Sequence, residues 1–100
     1  MKVDLIDTLY AVHSTKRFDR SLKSIYKQGK DIKKLINVVT KIANDEVLDE
    51  KNHDHSLVND KYYQDCRECH IEPDWLLIYR KQKDDLVLVL VETGSHSNLF

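Results

Sequence analysis

The sequence predicts an α+β fold in which a helical hairpin packs on one face of a mainly antiparallel, four-stranded sheet. Two neighbouring segments, 15–27 and 31–44, repeat apolar residues at the spacing of a helix. Three later segments between residues 62 and 91 are short apolar runs separated by polar turns, which is typical of strands. With one strand before the helices the order is β-α-α-β-β-β, and the 100 residues are expected to form a single domain, 1–100.

The first half of the chain is predicted to be a strand followed by two capped helices. Residues 9–13 are short, apolar and partly β-branched, and the residues before them would extend this strand or form an arm. Ser14 or Thr15 can cap the first helix, Gly29 breaks it, and Asp31 can cap the second. The apolar stripes consist of Phe18, Leu22, Ile25 and Tyr26 in the first helix and of Ile32, Leu35, Ile36, Val39 and Ile42 in the second.

The second half is predicted to be a loop followed by a three-stranded meander. The polar, acidic segment 45–61 predicts a loop of roughly 15 residues, which is longer than most loops in a compact domain. A turn around Pro73 and a polar turn at 81–85 separate the apolar runs that follow. The last run is apolar on both faces and is therefore expected to be central. The strands are predicted at 62 or 65–71, 75–80 and 86–91.

Charge is divided unequally along the chain, although the net charge is only −1. Residues 14–44 contain nine Lys and Arg against two acidic residues, a net charge of +7, whereas residues 45–100 carry a net charge of −7. The overall charge argues against nucleic acid, but a basic helical face can attract phosphate or an acidic protein. A solvated helix surface explains the charge pattern equally well.

Composition indicates a cytoplasmic protein without a membrane segment. No apolar run approaches the roughly 20 residues that a spanning helix needs, and acidic residues interrupt the apolar N-terminus, unlike in a signal peptide. Cys66 and Cys69, with His53 and His55 upstream, superficially resemble a zinc site. Cysteines three apart on a strand point to opposite faces, so we expect neither a shared metal nor a redox pair, and no cofactor.

Two turns of the meander carry groups suited to acid–base chemistry. If the last two strands pair antiparallel, His70, Asp74 and His96 come to one edge of the sheet. Two imidazoles and a carboxylate can transfer protons near neutral pH without a metal. A single histidine is more often structural or merely exposed, and for His13 and His53 we keep that interpretation.

Two motifs resemble the YafQ branch of the RelE/ParE toxin superfamily. They are C-R-E-C-H-I-E-P-D-W-L-L-I-Y at 66–79 and T-G-S-H-S-N-L-F at 93–100. The family patterns are R-D/E-x-H-V/I-x-P-D-W-I/L-L-I/V-Y and T-G-S/T-H-x-x-L-F. The H-S-L at 55–57 resembles an upstream H-x-L of the family, with a slightly longer spacing to His70. The order of elements matches over nearly the whole chain.

The resemblance implies a RelE-like fold and a ribosome-dependent mRNA endonuclease, the toxin of a type II toxin–antitoxin pair. Such a toxin cleaves mRNA in the ribosomal A site through the RNA 2′-hydroxyl, and its partner is a cognate antitoxin, often in a heterotetramer. Carried over by position, His55, His70, Asp74 and His96 are the acid/base residues. We expect His96 to be the general acid, Asp74 or His70 the base, and His55 to assist.

Two aromatic residues are also carried over from the resemblance. Phe100 matches the terminal aromatic of the family and would stack on a base of the mRNA. Trp75 matches an aromatic residue beside the site. Phe100 can also be interpreted as a C-terminal plug of the core.

One position departs from the family. Glu92 precedes Thr-Gly-Ser-His, where a member of the family has an arginine that would stabilise the phosphate. A carboxylate there would repel the scissile phosphate, so either Glu92 turns away, or Arg67, Arg80 or Lys81 binds the phosphate, or the activity is weak. The last case corresponds to an alternative function, a RelE-fold binding module that acts on the ribosome or a partner protein without cleavage. A ParE-like action on DNA gyrase is disfavoured, because it needs no acid/base pair.

Overall fold

A computed structural model describes residues 8–100 of the chain. These residues form a five-stranded sheet in the order β1-β5-β4-β3-β2, with two long helices against one face. The expectation that residues 1–7 extend the first strand or form an arm lies outside the described residues. The elements are Ala11–Ser14 (β1), Lys16–Lys27 (α1), Ile32–Ala43 (α2), a 3-10 turn at Glu50–Asn52, His55–Ser56 (β2), Arg67–Glu72 (β3), Trp75–Gln82 (β4), Val87–Gly94 (β5) and His96–Leu99 (α3).

The two long helices begin and end where their sequence signals predict. The Thr15 hydroxyl accepts the Phe18 N–H at 3.0 Å, and the Asp31 carboxylate accepts the Lys33 N–H at 3.0 Å, so both helices have a side-chain N-cap. Gly29 separates them with φ of +85°, a left-handed conformation that glycine adopts without strain. Of the predicted stripe, Phe18, Leu22, Ile25, Leu35, Val39 and Ile42 are buried, whereas Tyr26, at the edge of the stripe, is exposed.

The sheet has one strand more than the four predicted, and the α+β fold is otherwise confirmed. β1 runs parallel to β5, and every other neighbouring pair is antiparallel; β5 is an interior strand between β1 and β4. The additional strand, β2, lies inside the segment expected to be a loop. Two contacts hold it there: the Leu57 N–H donates to the Cys66 carbonyl at 2.9 Å, and the Asn52 side chain donates to the His70 carbonyl at 2.7 Å.

Alternate residues of the strands face two different environments. Cys69, Trp75, Leu77 and Tyr79 belong to the large apolar core beneath α1 and α2. The opposite face, here called the open face, carries a smaller apolar cluster that contains Tyr63, Cys66 and Ile78, with Leu57, Val91 and Leu99 packed against it. The two cysteines therefore lie on opposite sides of the sheet, as their spacing predicts. None of the helices in residues 8–100 is long and apolar enough to cross a membrane.

Candidate active site

Strand β3 places Glu68 and His70 on the open face, because residues two apart on a strand share a face. Cys69 between them is buried in the core on the helix side. The Glu68 side chain is only 7% exposed, and its Oε1 lies 3.6 Å from Nε2 of the His70 ring. A buried carboxylate in this position restricts the orientation of the imidazole beside it.

The short strand β2 brings His55 to the same carboxylate. His55 pairs with Glu68 across the two strands, and its Nε2 lies 3.8 Å from Glu68 Oε1. The other ring nitrogen, Nδ1, lies 2.6 Å from the His53 carbonyl, which suits donation by a ring N–H. The His53 ring packs edge-on against His70, with 5.3 Å between the ring centroids. His53, expected to be structural or merely exposed, is exposed and borders the cluster.

The turn before β4 and the helix after β5 bring Asp74 and His96 together. Leu76 lies opposite Gly94 in the antiparallel register, so the end of β5 returns to the start of β4. The Asp74 carboxylate accepts the His96 backbone N–H at 3.2 Å and lies 3.2 Å from His96 Nδ1. These two contacts with His96 hold the pKa of Asp74 below its usual value. Asp74 is therefore a carboxylate oriented towards one imidazole.

His70 connects the two halves of this cluster. Its ring packs edge-on against His96, with 5.6 Å between the ring centroids. The possible ligand atoms of Glu68, His70 and His96 all lie within 4.8 Å of one another. Two imidazoles and a carboxylate are a ligand set that zinc and copper accept. The cluster can thus transfer protons or hold a divalent transition metal ion.

Phe100 is exposed beside this cluster and does not plug the core. The residue is 57% exposed, and the centroid of its ring lies 6.5 Å from that of His96 and 5.7 Å from that of Tyr63. Trp75 differs: it is 1% exposed, belongs to the core on the helix side, and donates its indole N–H to the Thr93 hydroxyl at 2.9 Å. The Trp75 ring thus offers no surface to a substrate, and the expected contact beside the site does not fit this structure.

The three cations expected to compensate for Glu92 are engaged elsewhere. Arg67 binds Asp54 and the hydroxyl of Tyr79, a residue of the core on the helix side. Arg80 donates to the Gln64 carbonyl at 3.4 Å. In addition, Arg67 donates to the Ser56 hydroxyl at 2.9 Å, Arg80 contacts the Cys66 sulfur, and Lys81 contacts the Asp45 carboxylate and the Tyr10 ring face.

Glu92 lies on the open face opposite Ile78, and an arginine from another element reaches it. Its side chain is 7% exposed, and its Oε2 lies 3.4 Å from the Arg17 guanidinium of α1. Its Oε1 accepts the Thr93 N–H at 3.0 Å. Of the three alternatives for Glu92, the structure agrees best with the first, in which Glu92 turns away from the phosphate, because both carboxylate oxygens already have partners within the protein.

Comparison with known proteins identifies the family. Residues 10–100 match the family described as the bacterial toxin of type II toxin–antitoxin systems, YafQ. The chain belongs to this family. The family resemblance expected from the two motifs is therefore confirmed.

Relatives of this YafQ family resemble the chain in sequence and in structure. The mRNA interferase toxin YafQ of Escherichia coli K12 is 33% identical over 85 residues, which cover 84% of this chain and 88% of the relative. A metal-bound toxin from Helicobacter pylori has a TM-score of 0.84 and 42% identity, covering 91% of this chain and 99% of that one. YafQ in the E. coli DinJ–YafQ complex has a TM-score of 0.81 and 30% identity, covering 92% and 98%.

Sequence reasoning did not select two residues of this region. Glu68 could have been found, because it stands two residues before His70 on a predicted strand and so shares its face. Arg17 could not, since only the packing of α1 across the end of β5 brings it to Glu92. Glu68 adds a negative charge beside the histidines, and Arg17 adds a positive charge beside Glu92.

Proposed function

We propose that this chain is a ribosome-dependent mRNA endonuclease and the toxin of a toxin–antitoxin pair in the cytoplasm. The observation that carries the proposal is the cluster of His70, Asp74 and His96 at one edge of the open face, with Asp74 and His96 3.2 Å apart. The name of the E. coli relative, mRNA interferase toxin, supports the choice of substrate. The acid/base residues of this reaction are His55, His70, Asp74 and His96.

The proposed reaction needs one proton acceptor and one proton donor. Asp74 or His70 takes the proton of the RNA 2′-hydroxyl, and the 2′-oxygen forms a bond to phosphorus. His96 gives a proton to the leaving 5′-oxygen as its bond to phosphorus breaks. The products are a 2′,3′-cyclic phosphate and a 5′-hydroxyl, and no metal ion is required. Phe100, exposed next to His96, stacks on an unstacked base of the mRNA.

Two partners follow from this proposal. The basic outer surface of α1 and α2 is a surface for ribosomal RNA, since its Lys and Arg are largely exposed and phosphate contacts dominate RNA affinity. The second partner is an antitoxin, as in the DinJ–YafQ complex of E. coli. The family resemblance allows a heterotetramer of the two proteins. We expect no membrane partner.

The test is primer extension on an mRNA translated in a purified system, comparing wild type, His96→Ala and His13→Ala. His13 is an exposed histidine on β1, at the opposite edge of the sheet from β2, and serves as the matched control. We expect ribosome-dependent cuts with wild type and His13→Ala, and a loss of roughly 100-fold or more with His96→Ala. No cuts by a folded wild type would reject the nuclease and favour the binding module that acts without cleavage.

The same cluster supports a second proposal, which is binding of a divalent transition metal ion by Glu68, His70 and His96. Their ligand atoms lie within 4.8 Å of one another, and the similar H. pylori toxin is metal-bound. An imidazole that coordinates a metal cannot transfer a proton, so bound zinc or copper would inhibit cleavage. We expect added Zn²⁺ to stop cleavage and a chelator to restore it. Activity lost on chelation would instead make the metal a cofactor.

A further inference from the structure

Arg17 is held in place by the cap of its own helix. Thr15 caps α1 by accepting the Phe18 N–H, and the same hydroxyl donates to the Val91 carbonyl at 2.7 Å. The Thr15 N–H donates to the Leu90 carbonyl at 3.0 Å. These bonds fix the first turn of α1 across the end of β5. Arg17, two residues after the cap, therefore has a defined position beside Glu92.

The pairing of Arg17 with Glu92 satisfies a buried charge. The two oxygens of Glu92 are taken by the Thr93 N–H and the Arg17 guanidinium, as a buried carboxylate requires. Arg17 itself has a side chain that is 58% exposed. A guanidinium carries five N–H donors in a planar fork, and a contact to one carboxylate oxygen leaves several of them for a ligand.

A chain of contacts leads from Arg17 to the histidine cluster. Arg17 contacts Glu92, which lies opposite Ile78 in the sheet, and Ile78 belongs with Tyr63 to the smaller apolar cluster of the open face. Burial raises the pKa of the Tyr63 hydroxyl, and the Arg17 guanidinium opposes that rise. The Tyr63 hydroxyl donates to the Leu99 carbonyl at 3.3 Å, and its ring packs edge-on against Phe100. Phe100 in turn lies next to His96. Arg17 is thus an exposed cation on the Phe100 side of the cluster.

We propose that Arg17 is a substrate-binding residue whose guanidinium binds a phosphate of single-stranded RNA next to the base that Phe100 contacts. In this arrangement Glu92 is an orienting residue that holds Arg17 by its charge. The inference rests on the proposed function, because that function makes RNA the ligand. Arg17 of α1 would then supply the positive charge for the phosphate that the carboxylate at position 92 cannot supply.

The test is binding of a labelled single-stranded 2′-fluoro RNA, which lacks the attacking hydroxyl, measured by fluorescence anisotropy at several salt concentrations. We expect Arg17→Ala to lower the affinity roughly tenfold and to reduce the slope of log affinity against log salt by about 0.7, the value for one phosphate on a single strand. Arg17→Lys should keep part of the affinity as a point charge. Lys83→Ala, which removes an exposed cation in the turn between β4 and β5, at the opposite end of these strands from the cluster, is the control and should change neither quantity.

The double variant Arg17→Ala with Glu92→Gln separates binding from a structural role. If Arg17 only neutralised Glu92, removing both charges would restore the wild-type affinity and overturn the inference. If Arg17 binds phosphate, the affinity and the shallow salt slope stay as in Arg17→Ala. Failure of wild type to bind this RNA would also overturn it. Unchanged RNA affinity in Arg17→Ala, with weaker binding of an acidic antitoxin, would assign Arg17 to that partner instead.

Failure of this inference differs from failure of the proposed function. A wild type that binds RNA through Arg17 but makes no ribosome-dependent cuts would reject the nuclease and keep the phosphate contact. An Arg17→Ala variant that cleaves ribosome-bound mRNA with unchanged KM and kcat would reject the contact and keep the nuclease.

Discussion

The two faces of the sheet are made from the same strands but have opposite character. On the helix side, Cys69 and Leu77 are buried in an apolar core, and the buried Tyr79 donates its hydroxyl to Asp54 at the edge of that core. On the open face, Glu68 and His70 alternate with these residues and meet other polar side chains. One side of β3 and β4 thus stabilises the fold, while the other positions the residues of the candidate active site. The two roles should therefore respond to different substitutions.

The largest effect is expected on the helix side, for Leu77→Ala. Leu77 is fully buried, and its truncation would leave a cavity that lowers the free energy of unfolding by roughly 2–5 kcal/mol. The cleavage rate per folded molecule should stay near that of wild type, because the open face is unchanged. Chemical denaturation measures the first quantity and single-turnover cleavage below the unfolding transition measures the second.

The control for Leu77→Ala is Leu9→Ala, which is the same change at an exposed position. We expect it to alter neither stability nor rate appreciably. A rate per folded molecule that drops in Leu77→Ala while the protein stays folded would show that the two faces are coupled and that the separation of roles is wrong.

A smaller effect of the opposite kind is expected on the open face, for Glu68→Gln. The substitution keeps the shape of the side chain but removes the charge that lies within 4 Å of both the His70 and the His55 rings. A carboxylate about 4 Å from a protonated imidazole attracts it by about 1 kcal/mol in water and about 4 kcal/mol near a protein surface, so we expect the cleavage rate to fall by roughly 10- to 100-fold, with little loss of stability. Single-turnover cleavage and thermal unfolding together test this.

The control for Glu68→Gln is Glu72→Gln on the same strand. Glu72 forms ion pairs with Lys30 and Lys34, and neither pair includes a residue of the histidine cluster. Its substitution should leave the cleavage chemistry unchanged. Equal losses of rate in the two variants would mean that Glu68 acts through general charge and has no positioning role.

The open face also marks the limit of what the sequence could predict. The convergence of Asp74 with His96 follows from an antiparallel meander, which apolar runs and turns encode locally. The caps at Thr15 and Asp31 are equally local signals. Strand β2 could not be predicted, because it consists of two residues that are defined by their pairing with β3 and carry no local strand pattern.

Charge pairing shows the same limit. In the sequence, a carboxylate at position 92 suggested repulsion of a phosphate. Its partner Arg17 could not be recognised there, because it lies on a helix far from Glu92 in the sequence. The reverse error concerns Trp75, whose place in a motif suggested a substrate contact. The period of two along β4 puts Trp75 on the same side as Leu77 and Tyr79, in the core.

The smallest effect is expected when the pH is lowered, and the pH dependence of the cleavage rate distinguishes the two possible bases, Asp74 and His70. The contacts with His96 lower the pKa of Asp74 below its ordinary value of 3.8, so its carboxylate stays ionised at any pH above that value. If Asp74 is the base, protonation of its carboxylate should lower the cleavage rate only when the pH falls below about 4. That loss should then be absent from the profile of Asp74→Asn, whereas the same acid limb in both proteins would exclude Asp74 and leave His70 as the base. The pH dependence of single-turnover cleavage in wild type and in Asp74→Asn measures the difference.

The lowered pKa of Asp74 also determines how this residue contributes to stability as the pH changes. Because the folded-state pKa of Asp74 is depressed, its contribution to stability is present above the unfolded-state pKa and is lost as the pH falls through the folded-state value. Asp74→Asn should thus unfold with the same midpoint as wild type in strong acid and with a slightly lower one at neutral pH. A midpoint difference that persists in strong acid would show that Asn disturbs the turn itself. In that case the loss of activity in Asp74→Asn could not be assigned to a missing base.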